Sequence, residues 1–360
     1  FAAREGAFPE ESIDARDLAV ADYNGDGHLD VVFSVRNGKP RYYQNDGDGV
    51  FTNVTDTLVD AEVIDAIGIA SGDFDGDGDE DVFVPVFLGA DVLLRNDDGH
   101  LKVAAGAVPA DSAGDHCAAA GDVDGDGDPD LITGTWAADP STTQRIERVL
   151  LNDGAGVFTE LVGGFPELNE RTAGCTLGDV DGDGNLDAVF INDEAQAIGV
   201  RLLRGQGDGT FVLADAKDLP DVGQTGRRPV LGDLEGDGDL DLFVVGPGAD
   251  SVYLNTGEGR FLWASTVVGL ATDQDYGSGV AAADVNRDGH LDLVIANEMA
   301  KNRLVFGMDG NLSRDASADL PEAVTDSRDV AVADFDGDGY PDLLFTNGAT
   351  PSLLYFGQAR

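Results

Sequence analysis

The sequence predicts an all-β fold, a seven-bladed β-propeller of four-stranded antiparallel blades, and three observations predict it. An acidic nine-residue motif occurs seven times, at intervals of 49 to 57 residues. Each copy is followed by a short apolar run such as DVVFSV or DLLFTN, bounded by Gly and Asn turns. The two ends of the chain carry complementary parts of one repeat. Seven copies at a near-constant period mean one repeat architecture over residues 1–360 rather than two domains.

Each repeat reads as four short strands. A small-residue run leads into the motif, as LAVA does before Asp22 and VAVA before Asp334. The apolar run after the motif supplies the second strand, and RYYQN, VLLRN, RVLLN or VYLN the third. A turn such as NDGDG or NTGEG then enters an aromatic-led fourth strand, VFTNVT or RFLWAS. Helical periodicity is largely absent. Radial packing of seven such sheets gives a propeller; a β-helix would need much shorter repeats. The last repeat stops in its third strand at LLYFGQAR, and the opening FAAREGAFPE matches the fourth-strand stretch FTELVGGFPE that begins at Phe158. Residues 1–12 are therefore expected to complete the last blade and leave no unpaired edge.

The motif has the chemistry of a calcium loop. Ca²⁺ takes six to eight oxygen ligands, which alternate carboxylates on a tight turn supply. Positions 1, 3 and 5 point inward, Gly at position 6 permits the bend, position 7 offers its backbone carbonyl and position 9 closes the site. The first copy supplies Asp22, Asn24, Asp26, His28 and Asp30 at positions 1, 3, 5, 7 and 9. The second supplies Asp73, Asp75, Asp77, Asp79 and Asp81, and the third Asp122, Asp124, Asp126, Asp128 and Asp130. Asp179, Asp181, Asp183, Asn185 and Asp187 form the fourth, and Asp233, Glu235, Asp237, Asp239 and Asp241 the fifth. Asp284, Asn286, Asp288, His290 and Asp292 form the sixth, and Asp334, Asp336, Asp338, Tyr340 and Asp342 the seventh. An EF-hand is excluded by context, because Phe33 stands where its twelfth-position Glu would be and the flanks are strands. Loops with no metal at all would leave these carboxylates repelling one another.

These loops, with the turn sequence NDGDGVFT, resemble those of FG-GAP/VCBS repeat proteins, the family that includes integrin α-subunit propellers and some propeller lectins. The resemblance covers the whole chain. It implies about seven Ca²⁺, one in each loop between a blade's first and second strands, and a protein or glycan partner on the opposite face. Arg287 replaces the usual glycine at position 4 of the sixth copy, a departure expected to be tolerated because that position donates no side-chain ligand.

Charge narrows the partners. With 22 basic and 69 acidic side chains the net charge is −47, which repels nucleic acid and anionic lipid and attracts cations. Positions 1, 3, 5 and 9 hold 26 of those acids, and seven Ca²⁺ would leave −33. Saline adaptation is another source of the remainder. No apolar run reaches the ~18 residues of a membrane-spanning helix. Phe1 is not a natural start, so removal of an upstream segment and an extracellular or surface location are expected. Cys117 and Cys175 lie on neighbouring first strands; a disulfide is open to them, with a one-residue offset weighing against it.

No nucleophile elbow, phosphate loop or zinc spacing is present, so the chain reads as a non-enzyme. His28 and His290 sit at position 7, and His100 in a hairpin turn. The opposite face carries Arg16 with Asp17, Asp65, Asp115 with His116, Arg171, Arg227 with Arg228, Tyr276, and Arg328 with Asp329. His116 is expected just before a first strand. The longest loop there, Thr135 to Arg148, offers Trp136 as an exposed aromatic. Arginines gathered in so acidic a chain point to an anionic or sugar-acid ligand; a rim of internal ion pairs is the alternative. The expected function is an extracellular, calcium-stabilised adhesion or recognition module. Self-assembly into an extracellular filament or surface layer is one alternative. A polysaccharide-acting enzyme such as a lyase, centred on Arg227, Arg228 and Tyr276, is the other.

Overall fold

The apolar run after each acidic motif becomes a strand buried on both faces, because every sheet has neighbours on either side. The computed structural model describes all residues except 63, 88, 111–113, 138–146, 194–198, 221–224, 248–249, 265–275, 309–310, 322–323 and 359–360. In it the second strands Asp30–Val35, Asp81–Val84, Asp187–Asn192, Asp241–Val245 and Asp342–Asn347 are buried end to end. Burial on both faces explains why these runs are continuously apolar rather than alternating.

The first strands are Ala15–Ala21, Ala70–Gly72, Gly114–Gly121, Thr172–Gly178, Arg228–Gly232, Tyr276–Ala283 and Val324–Ala333. From the second repeat onward successive first strands lie against one another, and the first of them lies against the last. Their small residues are the condition for that approach: a Cβ on Gly174 would run into the Arg227 carbonyl, and one on Gly279 into the backbone of Asp329.

Within each repeat the strands pair antiparallel in chain order, and four of the sheets stand alone with four strands. The second repeat gains a fifth strand, Val59–Asp60, parallel to Leu101–Val103. The sixth and seventh repeats merge into one eight-stranded sheet, because Asp292–Lys301 runs past the core and pairs with Val324–Ala333, setting Glu298 opposite Asp326. At the N-terminus Ala2–Ala3 pairs antiparallel with Leu353–Phe356, Ala2 opposite Phe356. That strand uses two of the twelve residues expected to form it. Gly6, at φ +77°, turns the chain, and Phe8 packs on Phe33, Tyr43 and Phe51 of the first repeat instead.

The core is divided among the sheet interfaces. Among the described residues seven buried clusters each join two consecutive repeats, and one of them unites Phe33 and Tyr43 of the first repeat with Phe335 and Leu344 of the seventh. Cys117 and Cys175 are bonded, joining the first strands of the third and fourth repeats at a Cα separation of 5.9 Å. The two strands lie close enough for that separation to fall in the disulfide range, which overrides the offset seen in the sequence. No helix among the described residues is long and apolar enough to cross a membrane.

Candidate functional site

All seven acidic loops sit at one end of the sheets, each joining a first strand to a second. The glycine at position 6 has φ between +84° and +99° in every copy, a region closed to most side chains. Two bonds recur throughout. The position-1 carboxylate accepts the position-6 amide at 2.8–3.1 Å. The position-5 carboxylate accepts the position-7 amide at 2.8–3.1 Å. The loop is thus pre-shaped by its own acids, and neither recurring bond uses the side chain at position 7. Three carboxylates bring one oxygen each within 4.8 Å of one another in four loops: Asp73, Asp75 and Asp77; Asp122, Asp124 and Asp130; Asp179, Asp181 and Asp187; Asp334, Asp336 and Asp342.

The ninth-position aspartate does more than close a loop. It opens the second strand, is buried, and receives two backbone amides in five copies; Asp30 takes one amide and the Tyr42 hydroxyl, and Asp292 three amides. Asp130, for example, accepts from Val123 at 3.0 Å and from Asn152 at 2.8 Å, so it ties the loop to the third strand. A carboxylate offers about four lone-pair sites, so two remain for a cation. Burial pushes the carboxyls of Asp30, Asp130, Asp241, Asp292 and Asp342 up to about 6, and that of Asp81 to about 7. Amide bonds pull these groups down and the other loop carboxylates push them further up. Buried, mutually repelling carboxylate oxygens on a tight turn are the donor set that suits a hard divalent cation. The fourth loop carries a cation of its own: Arg204 Nη1 lies 3.2 Å from Asp181 and 3.1 Å from Asp187.

The opposite end holds a cleft of about 270 Å³, lined by five arginines, His116, Trp136, Glu298 and smaller residues. A repeated backbone device builds it. In the first repeat Ala15 stands opposite Val35 and Asp17 opposite Ser34, which leaves Arg16 as a bulged residue with no partner in the ladder. The same shift leaves His116, Ala173, Ser278 and Arg328 bulged in the third, fourth, sixth and seventh repeats. All five line the cleft. A bulge re-aims a side chain that regular pleating would send to one face of the sheet.

Ion pairs order the lining. Arg228 of the fifth repeat reaches Asp17 of the first at 2.6 Å. Burial, reinforced by the charge of Asp17, raises the Asp329 carboxyl beside them. Glu298 sits between Arg227 and Arg328 and accepts from Ser278 Oγ at 2.8 Å. Burial alone would raise its carboxyl, but the two guanidiniums hold it below the usual range. His116 Nδ1 lies 2.9 Å from the Ala173 carbonyl, which can only accept, so Nδ1 carries the proton. Burial, Arg228 and Arg227 push the imidazole down to about 3; the ring is neutral and its Nε2 is an acceptor. Trp136 stacks on His116 at 4.6 Å and lies 3.6 Å beneath the Arg171 guanidinium.

The structure thus gathers Arg16, His116, Trp136, Arg227, Arg228 and Arg328 into one site, with Arg171 and Tyr276 beside it, the latter 5.6 Å from Arg227. Three expectations change. His116 lies within the strand Gly114–Gly121 rather than before it. Trp136 ends up half-buried because His116 and Arg171 cover it. Asp115 is buried away from the cleft, bonded to Thr135 Oγ1 at 2.8 Å and 3.8 Å from Arg148. Residues 138–146 of the long loop lie outside the described residues. Arg36, Phe87 and Glu298 escaped the sequence reading, yet a signal existed: second strands end where first strands begin, so residues in or just past the last part of a second strand face the same cleft.

A family model for the FG-GAP-like repeat matches residues 22–84, 179–244, 233–295 and 284–345. Cartilage acidic protein 1 of Xenopus tropicalis is 27% identical over 302 residues, 73% of this chain and 45% of that protein. The Homo sapiens protein of the same name is 33% identical over 103 residues, 28% of this chain and 16% of that protein. The chain therefore spans less than half the length of these curated relatives. Among solved structures, BBS1N in complex with ARL6DN, soaked with lead, superposes with a TM-score of 0.58 at 10% identity, over 99% of this chain and 95% of that one. The mercury-soaked crystal gives 0.59 at 12% identity, over 100% and 99%. At such identities the likeness is one of fold.

Proposed function

The chain belongs to the FG-GAP-like repeat family, and we propose that it is an extracellular, calcium-stabilised recognition module. In this reading it is a closed propeller of seven blades with Ca²⁺ in the loops at one end and a binding cleft at the other. Closure is supported by the Ala2–Ala3 pairing and by Asn45 of the first repeat, which donates to the Phe335 carbonyl of the seventh at 2.8 Å. Calcium would be held in each loop by the side chains at positions 1, 3, 5 and 9 and the carbonyl at position 7. Its chemistry there is charge neutralisation of a pre-shaped turn, not catalysis.

The bulges carry the recognition reading. Five repeats spend a distorted backbone on delivering one side chain each into one cleft, a device that serves ligand contact rather than packing. A hydrolytic or eliminating reaction finds little support, since His116 is too weakly basic to act as a general base near neutral pH. The names of the relatives refer to cartilage, and the Cys117–Cys175 bond suits an oxidising, extracellular setting. Thermal melts in millimolar Ca²⁺ and in excess EDTA test the scaffold, with a marked drop expected on chelation and an identical curve counting against it. Screening the chain against extracellular glycans and matrix proteins tests recognition; binding should be lost on substitution at the bulges.

Assembly through the outer strands is a second reading. Leu213, Leu262 and Trp263 are exposed on the fourth strands of the fourth and fifth repeats, where lateral contact would cover them. Imaging the chain in its native setting separates a single binder from a filament.

A further inference from the structure

Eighteen arginines serve a chain with 69 acidic residues, yet five of them line one cavity of about 270 Å³. One carboxylate, Glu298, lines it with them. The acids that pair with Arg16, Arg36 and Arg228, namely Asp14, Asp65 and Asp17, stand outside the lining. These pairs use only part of each guanidinium, which carries five N–H donors. The Nε groups of Arg16 and Arg328 are buried, that of Arg328 against Gly348, so the donors left for a ligand are on the Nη groups. In the same lining, His116 Nε2 offers an acceptor. The cavity falls just below the ~300–1,000 Å³ range of ligand pockets, room for one compact unit and not for a run of chain. Trp136 is already engaged by His116 and Arg171, so stacking on a neutral sugar has little to draw on.

We propose that this cleft binds a small hydroxycarboxylate, of the kind a terminal uronic-acid unit of an acidic glycan presents. Its carboxylate is held by Arg16 and Arg328, and one of its hydroxyls donates to His116 Nε2. Charge-assisted bonds to a planar carboxylate are what arginine forms best. The inference deepens the recognition reading and rests on it.

Calorimetric titration of the full chain in Ca²⁺ with glucuronate, glucose and N-acetylglutamate tests it. Glucuronate should bind one to one, and the other two should bind at least about tenfold more weakly, because each lacks one of the two matched groups. Affinity should fall as salt rises. Arg16→Gln should weaken glucuronate by about tenfold and leave the melting curve in place, since among the described residues the Arg16 side chain bonds only to Asp14. Equal binding of glucose would make the cleft a neutral-sugar site, and equal binding of N-acetylglutamate would make it an acidic-peptide site. Either result overturns the proposal, as does no binding, or glucuronate binding that Arg16→Gln leaves intact. Failure of the broader reading looks different. A melting curve indifferent to EDTA beside normal glucuronate binding removes the calcium scaffold and keeps the cleft. Matrix ligands that bind without competition from glucuronate keep recognition and remove this inference.

Discussion

Arg287 shows how far a single residue can depart from its repeat and what that costs. The six other loops place glycine at this position with φ between +69° and +81°, and Arg287 adopts the same left-handed backbone at φ +64°. Its departure was visible in the sequence; its strain was not, because reading the loop for ligands gives position 4 no role. A side chain held there costs on the order of 1 kcal/mol, and a guanidinium 5.0 Å from the Tyr340 ring returns only part of it. Arg287→Gly is therefore expected to stabilise the protein by about 0.5–1 kcal/mol in chemical denaturation; a loss of stability would mean the ring contact dominates. Glu147 gives a residue-scale prediction in pH. Burial pushes its carboxyl from 4.5 up to about 7, while Thr172 Oγ1 donates to it at 3.0 Å. The folded chain holds this proton more tightly than the unfolded one. Glu147 therefore costs nothing at pH 4, costs progressively more between about 4.5 and 7, and costs fully above that. Glu147→Gln keeps an oxygen for Thr172 and removes the charge. It should match the parent at pH 4 and exceed it by on the order of 2–3 kcal/mol at pH 8. A gain that does not change with pH would show that burial of the charge is not its source.

At the scale of the element, the third-strand asparagine is where sequence and structure part most usefully. NDG after a strand reads as turn chemistry, and it is a turn. The structure gives its asparagine a second job. Asn152 Nδ2 donates to the Pro129 carbonyl of its own repeat at 3.1 Å and to the Phe74 carbonyl of the preceding repeat at 2.8 Å. Asn45, Asn96 and Asn255 make the same double bond to their own and the preceding repeat. The fourth, sixth and seventh repeats put Gly205, Gly307 and Gly357 there, where a Cβ would run into the carbonyls of Leu186, Leu291 and Pro341. The latch has no local signature, because one of its two carbonyls lies on the preceding sheet, 73 to 78 positions back in the chain for Asn96, Asn152 and Asn255 and in the seventh repeat for Asn45. Asn152→Ala should cost about 2 kcal/mol, since a buried and a half-buried carbonyl lose their donor, and urea unfolding would measure it. A cost within a few tenths would mean water replaces the amide. The bulges were illegible for a related reason. Arg16, His116 and Arg328 were found as polar residues beside first strands, but a one-residue register shift is decided by pairing and leaves no mark on composition.

For the molecule as a whole, period and patterning carried the all-β repeat architecture, because each repeat must bury two faces and therefore writes the same apolar run each time. The merging of the sixth and seventh sheets escaped that reading: the extension through Glu298 to Lys301 is half-exposed and lacks an apolar pattern, though it is what sets Glu298 in the cleft. Charge is the other whole-molecule property, and it leads to a prediction. A net −47 stored in a folded chain opposes compaction, and 26 of the 69 acids are crowded at loop positions 1, 3, 5 and 9 at one end. Salt screens exposed charges over a Debye length of about 8 Å near physiological strength, a range that spans a whole acidic loop. Sodium chloride should then raise the melting temperature steeply in excess EDTA, where the loop carboxylates face one another unneutralised. In Ca²⁺ the same salt series should give a shallower slope, because seven divalent ions would already have reduced the charge to −33 and placed the neutralisation where repulsion is greatest. Parallel slopes in the two series would mean that calcium, if it binds, acts by something other than relief of this repulsion. Slopes that converge near molar salt would tie the cation, the loops and the acidity of the chain to one cause.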